Sequence, residues 1–475
     1  FTDITGTLVT DFFTDYPIGT EFIVRAYLGG FLSNETLIEV VPSLGSLTPE
    51  KIAITIGENA STSVGIAFQT SHEVVNAKVL VSTNQDLSSS HEFTAIKKNV
   101  VTTLGGIDRE YYAWGAYING LTANTKYYYK VGSDQGWSEV FSFTTPKESG
   151  DFNIAFYGDI QGGYANFPNV VREAYKLYPE IDLSMLAGDV ADNSHVYNEW
   201  NAIDTNMKQY FNNNIWMTTI GNHDVYDGGD AINGYFYGPN NGTSGQNGSR
   251  NYWFEINDVV IFNLDTEASF NSYDSGFKKQ IELMSNVFNS STKKYKIVIM
   301  HRSVYPLNYN EESIRELAPI FDKLNIDLVL SGHDHVYSRT TMFDGIKTDI
   351  NYGVTYVVGG SASGSKYYDG DSTRPWVNVV YDNNNPVFTI LKFRGNDLIF
   401  EAYAIEGSSV NLVDTFLIPK RANIVKGDVN GDGKVTIDDA RIVLQAITGK
   451  ISLSNDEKQA AGIAGNPTLG DVRRI

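Results

Sequence analysis

A chain of 475 residues exceeds one ordinary core, so several domains of ~100 to 200 residues are expected. The 36 Lys and Arg against 56 Asp and Glu give a net charge of −20 with no long basic run, which excludes nucleic acid and anionic membrane surfaces as general partners. Cysteine is absent, excluding disulfides, thiolate metal sites and thiol nucleophiles, while 42% apolar and 13% aromatic residues exclude a disordered chain.

No run of about 18 apolar residues offers an integral membrane segment. The chain opens at Phe1 without a positively charged signal region, so a soluble mature chain or fragment is expected, its export signal already absent. Residues 1–47 alternate apolar and polar positions at Glu21–Tyr27 and Thr36–Val41, as short strands of a partial β-module do.

Residues 48–147 carry short alternating runs at β-sandwich spacing, namely Ile52–Ile56, Val64–Phe68, Ala77–Val81 and Tyr127–Val131. The segment Leu121–Val131 resembles the tyrosine-containing corner of fibronectin type III domains. Tyr127, Tyr129, Trp137 and Phe141 read as core or sheet surface, and no chemistry is assigned to this domain.

Residues 148–421 change to near-continuous apolar strands separated by helical stretches: Phe152–Tyr157, Ile181–Ala187, Ile215–Ile220, Val259–Leu264, Lys296–Met300 and Ile326–Leu330. That pattern indicates a layered α/β fold with its sheets covered on both faces. Asp159, Asp189, Asn222, His301 and His333 each follow one of these runs within a few residues, and strand ends are where such folds gather their sites.

Four of the seven histidines fall in ordered blocks with acidic residues: Gly158-Asp159, Gly188-Asp189, Gly221-Asn222-His223-Asp224, His301 and Gly332-His333-Asp334-His335. Any one block is weak evidence, since Gly-Asp pairs are common in turns. Five in order at strand ends point to a two-metal phosphoesterase site. Two divalent ions ~3.5 to 4 Å apart polarise a phosphoryl oxygen and supply a hydroxide for in-line attack, which needs a shared carboxylate. Asp189 suits the bridge, Asp159 and His335 the first ion, and Asn222, His301 and His333 the second. Imidazole and carboxylate ligands leave Zn, Mn and Fe open. His223 is expected to protonate the leaving alkoxide, with Asp224 orienting its imidazole.

The order and wording of these blocks resemble the calcineurin-like metallophosphoesterases, and among them the purple acid phosphatases. Leu264-Asp265-Thr266-Glu267, Met300-His301 and Gly332-His333-Asp334-His335-Val336-Tyr337-Ser338-Arg339 extend the likeness, as does a fibronectin-like domain directly before the catalytic one. Two departures stand out. The purple enzymes place an iron-binding tyrosine three residues after the bridging Asp, where this chain has Asp192, so no purple chromophore is expected. The first block reads Asp159-Ile160-Gln161 where many relatives have Asp-x-His. Gln161 then either binds the first ion through its carbonyl oxygen or hydrogen-bonds beside the site. Arg302 and His195 stand as candidates for phosphate contact, against plainer surface and loop roles.

The tail, 422–475, holds Asp428, Asn430, Asp432, Lys434 and Asp439 at calcium-loop positions 1, 3, 5, 7 and 12 with Gly433 at 6, followed by a helix Ala440–Ile447. A shift of 32 residues aligns Gly433, Thr436, Asp439 and Arg441 with Gly465, Thr468, Asp471 and Arg473. The duplication resembles a dockerin, which implies a cohesin-bearing scaffold as partner and an extracellular or cell-surface bacterial protein. The second copy has Ala460, Gly462 and Ala464 at the carboxylate positions, so one Ca2+ is expected.

The expected whole is multidomain: a fibronectin III-like β-sandwich, a layered α/β metallophosphoesterase domain and a small α-helical calcium-loop module. Phosphate monoester hydrolysis is the expected activity. The rivals are a phosphodiesterase acting on nucleotides or lipid head groups, and a non-catalytic extracellular scaffold or adhesion component.

Overall fold

A computed structural model describes residues 48–70, 73–104, 107–226, 228–243, 250–268, 275–308, 312–348, 353–419, 426–473 and 475, with four short strands between Glu21 and Glu39. Of the proposed module at 1–47, strand Glu21–Val24 pairs antiparallel with Thr36–Glu39 and Tyr27–Leu28 with Phe31–Leu32, while the rest lies outside the described residues.

Two large sheets stack face to face. The first has ten strands in the order 409–419, 397–406, 387–394, 152–157, 183–186, 215–218, 50–56, 63–70, 107–119, 96–104. The second centres on parallel strands Val259–Leu264, Tyr295–Met300, Leu328–Ser331 and Val354–Gly359, with antiparallel strands outside them. Strand Phe152–Tyr157 is buried along its whole length because its two faces serve two cores. Ile154 and Phe156 point into the inter-sheet core with Ile261, Ile299 and Leu330, and Ala155 and Tyr157 pack under the outer helices Phe167–Leu177 and Tyr197–Phe211. Helices Ser275–Ser290 and Ala318–Leu324 cover the outer face of the second sheet.

The boundary expected near residue 147 is not a break in the hydrogen-bond ladder. Strand Ile215–Thr218 pairs parallel with Glu50–Ile56, Ile215 opposite Ile54 and Trp216 opposite Thr55, so one sheet runs from the N-terminal β domain into the α/β domain. A five-stranded sheet built on Lys126–Ser133 closes the β domain, with Tyr129, Val131 and Phe143 packed in one core with Ile54, Ile66 and Phe68. Within it the Tyr127 hydroxyl accepts from the Thr122 backbone N–H at 2.8 Å.

The tail has a small core of its own, Val429, Val443, Leu453, Ala461 and Ile463. Its first helix, Ile437–Ile447, begins three residues before the expected start, because Thr436 caps it and Asp439 returns the bond in a capping box. Thr468 and Asp471 repeat that device 32 residues later on helix Leu469–Val472.

Candidate metal centre

The strand ends converge as the spacing requires. Ligand atoms of Asp189, His301 and His333 lie within 4.8 Å of one another, and so do those of Asp159, Asp189 and His335. Asp189 belongs to both groups.

Local backbone geometry explains the motif residues. Asp189 and His333 adopt φ of 48° and 66°, a left-handed conformation that costs about 1–3 kcal/mol and persists where surrounding structure imposes it. In that conformation the His333 N–H donates to both Asp159 oxygens, at 2.9 and 3.1 Å. The glycines before the ligands are required by close approach. A Cβ on Gly221 would stand 2.1 Å from Asp189 Oδ1, and one on Gly332 would stand 2.2 Å from Asp159 Oδ1.

His301 is fully buried, and its Nδ1–H donates to the Ala187 carbonyl at 2.7 Å, which leaves Nε2 as the electron-pair donor. That nitrogen is 3.1 Å from Asn222 Oδ1 and 3.3 Å from Asp189 Oδ2. Burial opposes charge on His301, but the Asp189 carboxylate overrides it and raises the imidazole, the same negative field that favours a cation at Nε2. Burial likewise opposes charge on Asp189, yet His301 and then His223 hold its carboxyl below the usual range. His335 Nε2 contacts Asp159 Oδ2 at 2.9 Å, and its ring stacks on Tyr368 at 4.7 Å. His335 is raised too, burial again opposing and Asp159 prevailing.

The residues present fit a pair of cations. Acceptor atoms from buried carboxylates, imidazoles and an amide converge on two points, an arrangement that needs positive charge between them. Gln161 Oε1 is buried without a hydrogen-bond partner, and the Gln161 N–H donates to the Asp189 carbonyl at 3.0 Å.

One expected role is corrected. Asp224 does not hold the His223 ring: its carboxylate accepts from the backbone N–H groups of Val190, Ala191 and Gly221 at 3.0, 3.2 and 3.0 Å. It therefore clamps the Asp189 turn to the Asn222 turn. The His223 ring is oriented by Asp192 instead, Nδ1 donating to its carbonyl at 2.6 Å, while the His223 N–H donates to Asp189 Oδ1 at 2.9 Å. Sequence spacing favoured Asp224 because it is adjacent, but the short helical turn His223–Val225 points neighbouring side chains apart.

Arg302 is committed elsewhere. Its guanidinium forms a fork with Glu267, at 2.8 and 3.0 Å, and Nη1 lies 3.2 Å from His333 Nε2. His195 sits in the loop after Asp192, its carbonyl accepting from Thr103 N at 2.5 Å. Sequence reasoning missed Lys366 and Tyr368. Lys366 Nζ is 2.6 Å from Asp192 Oδ1. The available signal was the Gly/Ser-rich run Gly359–Ser365 directly after the buried strand Val354–Gly359, another strand-end loop.

In the tail, the turn places Gly431 and Gly433 at φ of 73° and 83°. Asp428 accepts from the N–H groups of Asp432 and Gly433, Asn430 from Asp432, and Asp432 from Lys434. Asp439 is fully buried and accepts from Val429, Asn430 and Thr436.

Comparison with known proteins matches residues 152–337 to the calcineurin-like phosphoesterase family and residues 49–145 to the purple acid phosphatase N-terminal domain. Purple acid phosphatase 18 of Arabidopsis thaliana is 25% identical over 246 residues, 49% of this chain and 54% of the relative. The Fe(3+)-Zn(2+) purple acid phosphatase 12 of the same plant is 27% identical over 259 residues, 50% and 54%. The chain thus spans about half the length of these two curated relatives. A purple acid phosphatase structure from yellow lupin (Lupinus luteus) seeds shares the fold at a TM-score of 0.68 and 17% identity, over 84% of this chain and 79% of that one. Along this chain the N-terminal-domain match, 49–145, precedes the phosphoesterase match, 152–337.

Proposed function

We propose that the protein is a dinuclear metal-dependent phosphoesterase that hydrolyses phosphate monoesters. The observation that carries this reading is the membership of Asp189 in both ligand groups, as a bridging carboxylate requires. Asp159, Gln161 and His335 would hold one ion and Asn222, His301 and His333 the other, with Asp189 between. When bound, such ions polarise the phosphoryl group and activate water.

The chain's own residues do the rest. His223, its Nδ1–H fixed on the Asp192 carbonyl, keeps Nε2 for proton transfer to the leaving oxygen. Asp224 fixes the spacing between the Asp189 and Asn222 turns through backbone N–H groups. Glu267 holds Arg302 in place beside His333.

The absence of tyrosine at position 192 and the amide Gln161 favour divalent ions over a ferric one, since neutral amide oxygen is a poorer partner for iron(III) than tyrosinate. Residues 48–147 fit a fibronectin III-like sandwich. The tail is proposed to bind one Ca2+ through Asp428, Asn430, Asp432, Lys434 and Asp439, and, as a dockerin-like module on an exported protein, to meet a cohesin-bearing partner.

The test is elemental analysis of the purified protein beside hydrolysis of p-nitrophenyl phosphate and bis-p-nitrophenyl phosphate. Two transition-metal ions per chain with monoester turnover is the expected result. No metal uptake and no turnover after loading with Mn, Zn or Fe would overturn the reading.

A further inference from the structure

Arg302, the obvious cation of the sequence, has its guanidinium fork occupied by Glu267. A different cation is tied to the loop after Asp189. Lys366 Nζ is 2.6 Å from Asp192 Oδ1, and Asp192 Oδ1 is 3.7 Å from His223 Nδ1. The Lys366 side chain is 37% exposed and its ammonium makes one hydrogen bond, so two of its three N–H donors have no protein partner among the described residues.

The segment that carries Lys366 is held against the centre at three points. Asn166 Nδ2 donates to the Ser363 carbonyl at 2.7 Å, Ser365 Oγ donates to the Gln161 carbonyl, and Tyr368 stacks on His335 with rings 21° from parallel. A lysine on so constrained a backbone loses less freedom on binding a ligand than one on a free loop.

We propose that Lys366 is a substrate-binding residue that takes a non-bridging oxygen of a phosphate monoester dianion, and so sets a preference for monoesters over diesters. The proposal rests on the phosphoesterase reading of the same centre. A monoester brings two negative charges and three terminal oxygens. A diester brings one charge and a second substituent where Lys366 would meet oxygen. Asp192 takes one donor of the ammonium, and the other two are left for the ligand.

The experiment compares metal-loaded wild type with Lys366→Gln, Lys366→Arg and Asp192→Asn. Each is assayed with p-nitrophenyl phosphate and bis-p-nitrophenyl phosphate, and titrated calorimetrically with inorganic phosphate. A charge-assisted hydrogen bond is worth about 1.5–3 kcal/mol, so K366Q is expected to lower monoester kcat/KM and phosphate affinity by roughly 10- to 100-fold. Diester kcat/KM should change less than about threefold, metal content should stay at the wild-type value, and K366R should recover part of the loss. D192N leaves the ammonium but removes its counter-ion, so phosphate affinity should hold or rise. Equal loss on both esters, matching losses in K366Q and D192N, or unchanged phosphate affinity in K366Q would each overturn the proposal. If metal-loaded wild type hydrolyses neither ester, the phosphoesterase reading falls, and the phosphate titrations still decide whether Lys366 binds the anion.

Discussion

Asp189 carries two burdens, since its carboxylate belongs to both ligand groups and its backbone sits at φ 48°. Asp189→Asn keeps the size but halves the acceptor capacity and removes the charge, so elemental analysis should show loss of at least one ion and turnover should fall below detection. His223→Ala should instead lower kcat by about 10²- to 10⁴-fold, the range of a general acid, with metal content unchanged. Asp224→Asn separates the corrected role from the expected one. A clamp between two ligand turns should cost metal affinity and activity together, about 10- to 100-fold as for other groups behind metal ligands. An orienter of His223 would cost activity alone. Gly332→Ala would drive a methyl to within 2.2 Å of Asp159 Oδ1, and overpacking of about 1–3 kcal/mol should appear as a lower Tm with weaker metal retention. The candidate ligand set was readable because metal chemistry permits few residue types, and these residues follow apolar runs. The partners Asp192, Lys366 and Glu267 were not, because lysine and glutamate are ordinary on surfaces and only tertiary contact gives them meaning.

Strand Ile215–Thr218 ties the two domains and the candidate centre together. It follows Leu183–Leu186 in the ladder, joins Glu50–Ile56 on its other side, and leads into the turn that carries Asn222 and His223. Its Trp216 is fully buried against Tyr157, Phe167 and Phe211, the last in edge contact at 5.0 Å. Trp216→Ala should cost about 3–5 kcal/mol, and calorimetry should show a single cooperative transition shifted down rather than two separate ones. The apolar strands themselves were legible from composition and length. Their partners were not: parallel pairing of 215–218 with 50–56 joins segments more than 150 residues apart, and no local pattern encodes that distance. The antiparallel hairpin strands 397–406 and 409–419 completing the first sheet were passed over for a related reason, since alternating edge strands give a weaker signal than buried ones.

The molecule as a whole divides unevenly. The β domain and the α/β domain share a sheet and a core, whereas the tail has a core of five buried residues to itself. A chain ending at residue 419 should therefore keep phosphoesterase turnover and lose only a minor thermal event. A chain beginning at residue 148 would leave strand 215–218 with an unpaired edge in the middle of the fold, and should express as aggregate, as light scattering would report. Removal of metal by chelation should lower Tm across the joined body, since ligands from both sheets meet at one centre and binding to the folded state alone stabilises it.

The continuity of that sheet bears on how such an enzyme can diversify. Strand 96–104 belongs to the β domain, yet Thr103 N donates to the His195 carbonyl, three residues after the Asp192 that orients His223. The β domain is thus a neighbour of the reaction rather than a handle attached to it. Changes in the hairpin of strands 96–104 and 107–119 can reshape the approach to the centre while every metal ligand stays in place. On the proposed phosphoesterase reading, selection can then retune which esters enter while the ligand set is kept.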